Sequence, residues 1–248
     1  MPPVKVVETE RLEIKNPVVI TGFPDVGLVG TIAVSHIISA LGLKEIGYVA
    51  SEELPPIVVV HEKRPKAPIR LYGNTELIVA VSEIPIPHSL VYSLSNSLVE
   101  WFKEKGARFA LLLGGIANPR RLEIEEPAIY GVSTGKGMDE ILEKKNIKFF
   151  EEGFITGQDG VILRDCMEKG LPSIYLMAES HFAYPDPGAA AAVIQAINRI
   201  LDLKVDVKSL LEKEEEIRIL TRDLMRRTEE NMKRIQKMQE QEIPVMYR

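Results

Sequence analysis

Hydrophobic positions along the chain switch between two periods, and the switch is sharpest between Val18 and Ile38. Val18-Val19-Ile20 is a continuous β-branched run, Gly22 to Gly30 is a glycine- and proline-bearing turn, and the apolar residues from Ile32 to Ile38 recur three and four apart. That order predicts a buried strand, a tight turn and a helix, the opening unit of an α/β fold. Leu41-Gly42 ends the helix, glycine being a common stop. Val4 to Ile14 alternates as an edge strand does, and Lys44 to Ser51 is the next strand. Ile57 to His61, Ile69 to Tyr72 and Leu77 to Val81 read as three short strands. The first two are expected to form a hairpin across the basic loop Glu62 to Pro68, and the third to be central. Ser89 is placed to cap a helix reaching Lys105, and Ala107 to Leu113 is an apolar strand expected to stop at Gly114-Gly115. A strand over Ala128 to Val132, a helix over Met138 to Lys145 and a strand over Ser173 to Ala178 follow, before Pro187-Gly188 opens a helix from Ala189 to Leu201. The alternation predicts a mostly parallel sheet covered on both faces, a three-layer α/β sandwich.

Beyond Leu203 the pattern changes. Asp206 to Glu242 contains neither glycine nor proline and mixes Glu, Lys and Arg, which predicts one long helix of about 55 Å if unbroken. Its apolar residues form a thin stripe, interrupted where heptads would place Thr221, Thr228 and Asn231, so a long coiled coil is not expected. Two readings stay open: a salt-bridge-laced helix packed partly on its own domain, or an arm projecting from an oligomer. The chain therefore divides into an α/β domain over residues 1–205 and a helical arm over residues 206–248.

Composition narrows the function classes. At 248 residues and 45% apolar, the chain can bury one substantial core and one appendage. A net charge of -5 argues against a nucleic-acid footprint. No stretch has the apolar length that crosses a bilayer, and Met1 to Glu10 has no basic region followed by an apolar run, so a cytoplasmic location and no membrane partner are expected. With a single cysteine, Cys166, there is no internal disulfide and no cysteine cluster for zinc.

Candidate chemistry mostly fails on inspection. Gly22 and Gly27 have phosphate-loop spacing, but Leu28 and Val29 stand where that loop needs Lys and Ser or Thr. The dinucleotide fingerprint fails as well, because the glycines fall at 22, 27 and 30. These glycines read instead as letting the helix pack close to the sheet, with a small-ligand site in the Gly22 turn as an alternative. Gly131-Val132-Ser133-Thr134-Gly135 has the spacing of a nucleophile elbow and is followed by Asp165 and His181 in hydrolase order. A serine hydrolase acting through Ser133 is thus a second alternative, weakened because Gly135-Lys136-Gly137 prolongs the loop where an elbow should already be helical. His36, His61, His88 and His181 share no ligand spacing, so no metal and no cofactor are expected, and Cys166 reads as a small buried apolar residue.

Four stretches carry a resemblance. They are Gly22-Phe23-Pro24-Asp25-Val26-Gly27-Leu28-Val29-Gly30, Gly157-Gln158-Asp159-Gly160-Val161-Ile162-Leu163, Gly170-Leu171-Pro172, and Pro185-Asp186-Pro187-Gly188-Ala189-Ala190. In this order the chain resembles the proteasome assembly chaperone family in its archaeal form, over the globular part to about Leu203. The resemblance implies a three-layer α/β sandwich without ATP-binding or catalytic machinery, whose function is to bind proteasome subunits. The final residues Met246-Tyr247-Arg248 fit the hydrophobic-Tyr-any signature with which proteasome-docking proteins enter pockets between α subunits. Such a motif needs a free carboxylate for a lysine, an aromatic ring with a polar tip and an extended lead-in, here Ile243-Pro244-Val245. One short tail offers little area, so useful affinity calls for several tails held together in a homo-oligomer, with a tetramer favoured. The expected function is an ATP-independent, non-enzymatic proteasome-binding protein docking on the 20S α ring, as activator or adaptor of the finished particle or as assembly chaperone.

Overall fold

In the computed structural model, residues 4–10 and 13–242 are described. β1 (Lys5–Glu8) precedes β2 (Val18–Gly22), whose five residues are all buried. A 3-10 turn, Val26–Leu28, leads into α1 (Val29–Ala40). Then come β3 (Lys44–Ala50), β4 (Val59–His61), β5 (Arg64–Lys66), β6 (Ile69–Gly73) and β7 (Leu77–Ser82). α2 (Val91–Glu104) and β8 (Phe109–Ala117) follow, then β9 (Ile129–Ser133), α3 (Lys136–Lys144) and β10 (Lys148–Phe149). α4 (Gly157–Lys169), β11 (Ser173–Ser180), α5 (Pro187–Leu201), α6 (Lys208–Glu212) and α7 (Glu214–Glu242) complete the described residues.

Among the described residues nine strands form one sheet in the order β1-β3-β6-β7-β2-β8-β11-β9-β10, with β1 as an edge. Its centre is parallel: β2 pairs with β7 and β8, and β8 with β11. The flanks are mixed: β1 with β3, β3 with β6, β6 with β7 and β9 with β11 are antiparallel, and β9 with β10 is parallel. Alternate residues of the central strands serve two cores. Val18, Ile20, Val79, Leu111, Leu113 and Leu176 pack with apolar residues of α1, α5 and α3. Val19, Ile78, Ala80, Leu112, Tyr175 and Met177 pack on the other face with α2 and α4. A strand buried on both faces must be apolar throughout, which explains the continuous runs that mark β2, β7 and β8 in the sequence. The fold is the expected three-layer α/β sandwich around a sheet that is parallel at its centre and mixed at its edges.

The glycines of the first turn act as close-packing positions. A Cβ on Gly22 would lie 2.3 Å from the Gly30 carbonyl oxygen, and one on Gly30 would lie 2.2 Å from that of Leu113. α1 therefore sits against β2 and β8 at a distance no larger side chain allows.

Four expectations need correction. β4 pairs with β5 in a separate two-stranded ribbon, while β6 joins the main sheet, so the expected hairpin between the Ile57 and Ile69 runs does not form. The tight turn uses Glu62 at φ 50° and Lys63 at φ 64°, left-handed conformations that neither residue advertises. β8 does not stop at Gly114-Gly115 but runs through both to Ala117. A Cβ on Gly114 would strike the Tyr175 hydroxyl, and one on Gly115 would lie 2.3 Å from the Val26 carbonyl oxygen, so these glycines admit neighbours within a strand. Ser89 caps nothing: α2 starts at Val91 after a 3-10 turn over His88–Leu90, with no side-chain cap.

Finally, the helix expected from Asp206 to Glu242 is broken at Lys213 into α6 and α7. The first half of α7 lies on the α/β domain. Met225 is buried in the core beside α1 and α5, and Ile217, Leu224 and Met232 pack against it. Thr228, only 1% exposed, donates to the Leu224 carbonyl at 2.8 Å, and the Asn231 amide donates to the Ile86 carbonyl at 3.1 Å. Two polar residues that interrupt the apolar stripe thus face the domain.

Candidate functional site

The carboxyl ends of parallel strands are where open α/β sheets place their ligands. Here the turn after β2, the last residues of β8, Tyr175 and Met177 of β11, and the N-terminus of α4 enclose a cavity of about 400 Å³. Ile86, from the loop before α2, and Val91 of α2 close one side, and Thr228, Asn231 and Met232 of α7 close another. Phe150, Phe154 and Ile155 supply an apolar wall, with Phe182 beyond β11. Phe154 is 96% exposed, so one ring of that wall also faces solvent.

The titratable lining, with the Gln158 amide beside it, comes from two strand–helix junctions and one strand. Asp25 follows β2, Gln158 and Asp159 sit in the first turn of α4, and Tyr175 stands on β11. Asp25 Oδ2 accepts from the Gly115 backbone N–H at 2.5 Å, while its Oδ1 is buried without a hydrogen-bond partner. Asp159 is 4% exposed with Oδ1 unpartnered, and Gln158 is 8% exposed with both amide atoms unpartnered. Burial pushes the Asp159 carboxyl up to about 8. A first-turn carboxylate is ordinarily favoured by the helix dipole, worth about 0.3–1 kcal/mol. Desolvation outweighs that here. Asp25 is raised well above the ordinary carboxylate value by burial first and by the neighbouring Asp159 charge second, backbone N–H groups, Gly115's foremost, opposing both. Tyr175 is raised by burial and then by the two aspartates. The described lining contains no Lys, Arg or His.

Next to the cavity, the same end of the sheet holds a buried carboxylate of the opposite kind. Asp186 caps α5, accepting from Ala189 N–H at 2.9 Å and from Arg121 Nη2 at 3.1 Å, and its Oδ2 lies 2.8 Å from Arg121 Nε. Its own backbone N–H donates to the Gly27 carbonyl at 2.9 Å. The Pro185 to Ala190 stretch therefore fastens the Gly22–Gly30 turn, and the Gly157 stretch opens the cavity beside it.

Other sequence candidates separate in space. The Ser133 hydroxyl donates to Asp139 on the following helix, Asp165 pairs with its neighbour Arg164, and His181 makes an edge contact with Tyr184 at 5.8 Å. No hydrogen bond links Ser133 to His181 or His181 to Asp165 among the described residues, so the elbow spacing does not assemble a triad. Cys166 is buried in α4, where burial pushes its thiol up to about 12, as suits an apolar core residue. Among the described residues, no group of three or more His, Cys, Asp or Glu could hold a metal, and no helix is long and apolar enough to cross a membrane. Met246, Tyr247 and Arg248 lie outside the described residues.

The carboxyl-end cluster was only partly visible in sequence. Asp25 lay in the small-ligand alternative, but Gln158 and Asp159 figured only as part of a resembling stretch. The available signal was two polar residues between glycines at a helix opening, directly before the apolar run Val161-Ile162-Leu163.

Comparison with known proteins fits this architecture. The PAC2 family matches residues 19–225, a span that includes the first half of α7. The uncharacterized protein MJ0106 of Methanocaldococcus jannaschii is 31% identical over 213 residues, covering 86% of this chain and 87% of that protein. The crystal structure of Pyrococcus furiosus PbaA, an archaeal homolog of proteasome-assembly chaperone, superposes with a TM-score of 0.86 at 33% identity, covering 92% of this chain and 99% of that one. Pyrococcus furiosus PbaB, an archaeal proteasome activator, shares the fold with a TM-score of 0.78 at 24% identity, covering 90% and 99%. With its fold matched from the first buried strand into α7, the chain belongs to the PAC2 family.

Proposed function

We propose that this chain is an ATP-independent proteasome-binding protein that docks on the α ring of the 20S particle through its C-terminal residues. The observation that carries the reading is its PAC2 membership together with its likeness to PbaA over nearly the whole of both chains. We assign the docking element to the hydrophobic-Tyr-any sequence Met246-Tyr247-Arg248. Met246 and Tyr247 would enter an apolar-walled pocket and the Arg248 carboxylate would meet a cation. Each tail is a small contact, so the protein acts as a homo-oligomer, a tetramer being favoured, whose tails raise one another's effective concentration.

Between the two proteasome roles, activator or adaptor of the finished particle is preferred over assembly chaperone, because a helical arm ending in a docking sequence suits a completed ring. The failed phosphate-loop pattern and the scattered Ser133, Asp165 and His181 support a protein that works by binding. Adding the purified protein to preassembled 20S proteasome without nucleotide and following hydrolysis of a fluorogenic peptide tests the reading. A rate increase supports the activator role. Binding to the particle without a rate increase shifts the role to assembly, and absence of binding to particle and α subunits alike refutes the proposal.

A further inference from the structure

The cavity at the carboxyl end of the sheet is built unlike a space left over from packing. Apolar voids in protein cores stay dry and carry no polar groups, and buried polar side chains are nearly always satisfied. Here two side chains that are at least nine-tenths buried, Gln158 and Asp159, line an open volume with three polar atoms unpartnered, and Asp25 adds a fourth. Leaving such groups without partners is costly, so an occupant that satisfies them binds the more tightly.

The lining also fixes the charge of the occupant. Two carboxyl groups and one phenol are its titratable groups among the described residues, contributed by the β2 turn, α4 and β11. α2 contributes Val91, the loop before it Ile86, and α7 only Thr228, Asn231 and Met232. With no cation facing the aspartates, an anionic ligand would be desolvated without a partner, whereas a cation can pair with a carboxylate that ionises as it binds. A metal ion would lack a third carboxylate or imidazole, so the fitting cation is one that brings hydrogen atoms for several acceptors. The volume of about 400 Å³ lies in the range of small-molecule sites, and its aromatic wall asks for an apolar body of similar size. A single lysine side chain from a partner would leave most of that space unfilled.

We propose that this cavity binds a small organic amine, its ammonium group held by Asp25, Asp159 and the Gln158 amide oxygen and its apolar body packed against Phe150, Phe154 and Ile155. The described lining runs from Pro24 to Met232, so its occupant would be a ligand of the α/β domain and the part of α7 packed on it. Asp159 is neutral below about pH 8, so binding a cation there must release a proton, and affinity should rise with pH until the amine itself begins to lose its charge.

Isothermal titration calorimetry on the full chain with 2-phenylethylamine, 2-phenylethanol and 3-phenylpropanoate separates the possibilities, because the three share a body and differ in charge. The amine is expected to bind about tenfold or more tightly than the alcohol, with no detectable binding of the carboxylate. Its apparent enthalpy at neutral pH should depend on the buffer's ionisation enthalpy, as proton release requires. Asp159→Asn, which keeps the shape of the side chain, should weaken the amine about tenfold and leave the alcohol within about twofold. Equal binding of amine and alcohol, an unchanged amine affinity in Asp159→Asn, or no amine binding at about 10 mM would each overturn the assignment. Tighter binding of Nα-acetyl-lysinamide than of 2-phenylethylamine would also overturn it, pointing to a protein side chain.

Discussion

Two aspartates at the same end of the sheet, both in glycine-containing stretches that open helices, have opposite circumstances. Asp186, 1% exposed, has every neighbour it needs: the cap N–H of α5, the guanidinium of Arg121 and the backbone N–H of His181 at 3.3 Å. Asp159, 4% exposed, faces a cavity with one oxygen unpartnered and, among the described lining residues, no cation. Burial alone therefore says little about what a carboxylate is for. A satisfied buried charge holds parts of a fold together, and an unsatisfied one beside open space is a cost retained for something that fills it.

The strongest way to break this comparison is to remove the satisfied partner. Asp186→Ala takes away the α5 cap and leaves Arg121 buried without its carboxylate, which should cost about 3–5 kcal/mol in urea unfolding. A loss below about 1 kcal/mol would mean that the pair is structurally idle.

For Asp159 the sign is reversed. Its folded value of about 8 lies above that of an unfolded carboxyl, so the folded state holds a proton that the unfolded state gives up. Stability on this account is full below about pH 4, is lost as pH rises towards about 8, and is flat beyond. Asp159→Asn removes that loss. The variant should match the wild type near pH 4 and exceed it by several kcal/mol above pH 8, at about 1.4 kcal/mol for each unit between the two values, as thermal or urea unfolding across pH would show. A variant less stable than the wild type at high pH would mean that the carboxylate has a partner after all.

The smallest effect concerns the backbone that presents Asp159. Gly157 opens α4 at φ 75°, and a Cβ there would meet nothing within 4 Å. Gly157→Ala should therefore cost only the left-handed strain, about 1–2 kcal/mol, which unfolding measurements can read. A larger loss would point to close packing at that turn, of the kind seen at Gly22 and Gly30.

Much of the architecture was legible because it rests on local pattern. Fully buried β2 and β7 read as continuous apolar runs, and the α1 turn could be separated from a phosphate loop by Leu28 and Val29 alone. What the sequence hid was long-range. The pairing of β4 with β5 depends on left-handed Glu62 and Lys63, residues with no special liking for that conformation. Gly114 and Gly115 looked like a strand end because their reason for being small, Tyr175 and Val26, lies elsewhere in the chain. Thr228 and Asn231 looked like flaws in a stripe, yet they meet a domain surface whose position only the fold determines. Gln158 and Asp159 carry no periodic signature at all, since an unsatisfied polar group is defined by what does not surround it.

The cavity and the C-terminal residues also make separable claims. Asp159→Asn should leave proteasome binding as it is, and a change at Tyr247 should leave amine binding as it is. The central claim is that the C-terminal residues dock on the proteasome, and surface plasmon resonance against immobilised 20S particle tests it most directly. Tyr247→Ala and a chain lacking Met246 to Arg248 should each lose affinity by more than about tenfold. At about 1–3 kcal/mol for each truncated anchor, two engaged tails already exceed that factor. Binding unchanged in both variants would place the contact on the globular face and contradict the account.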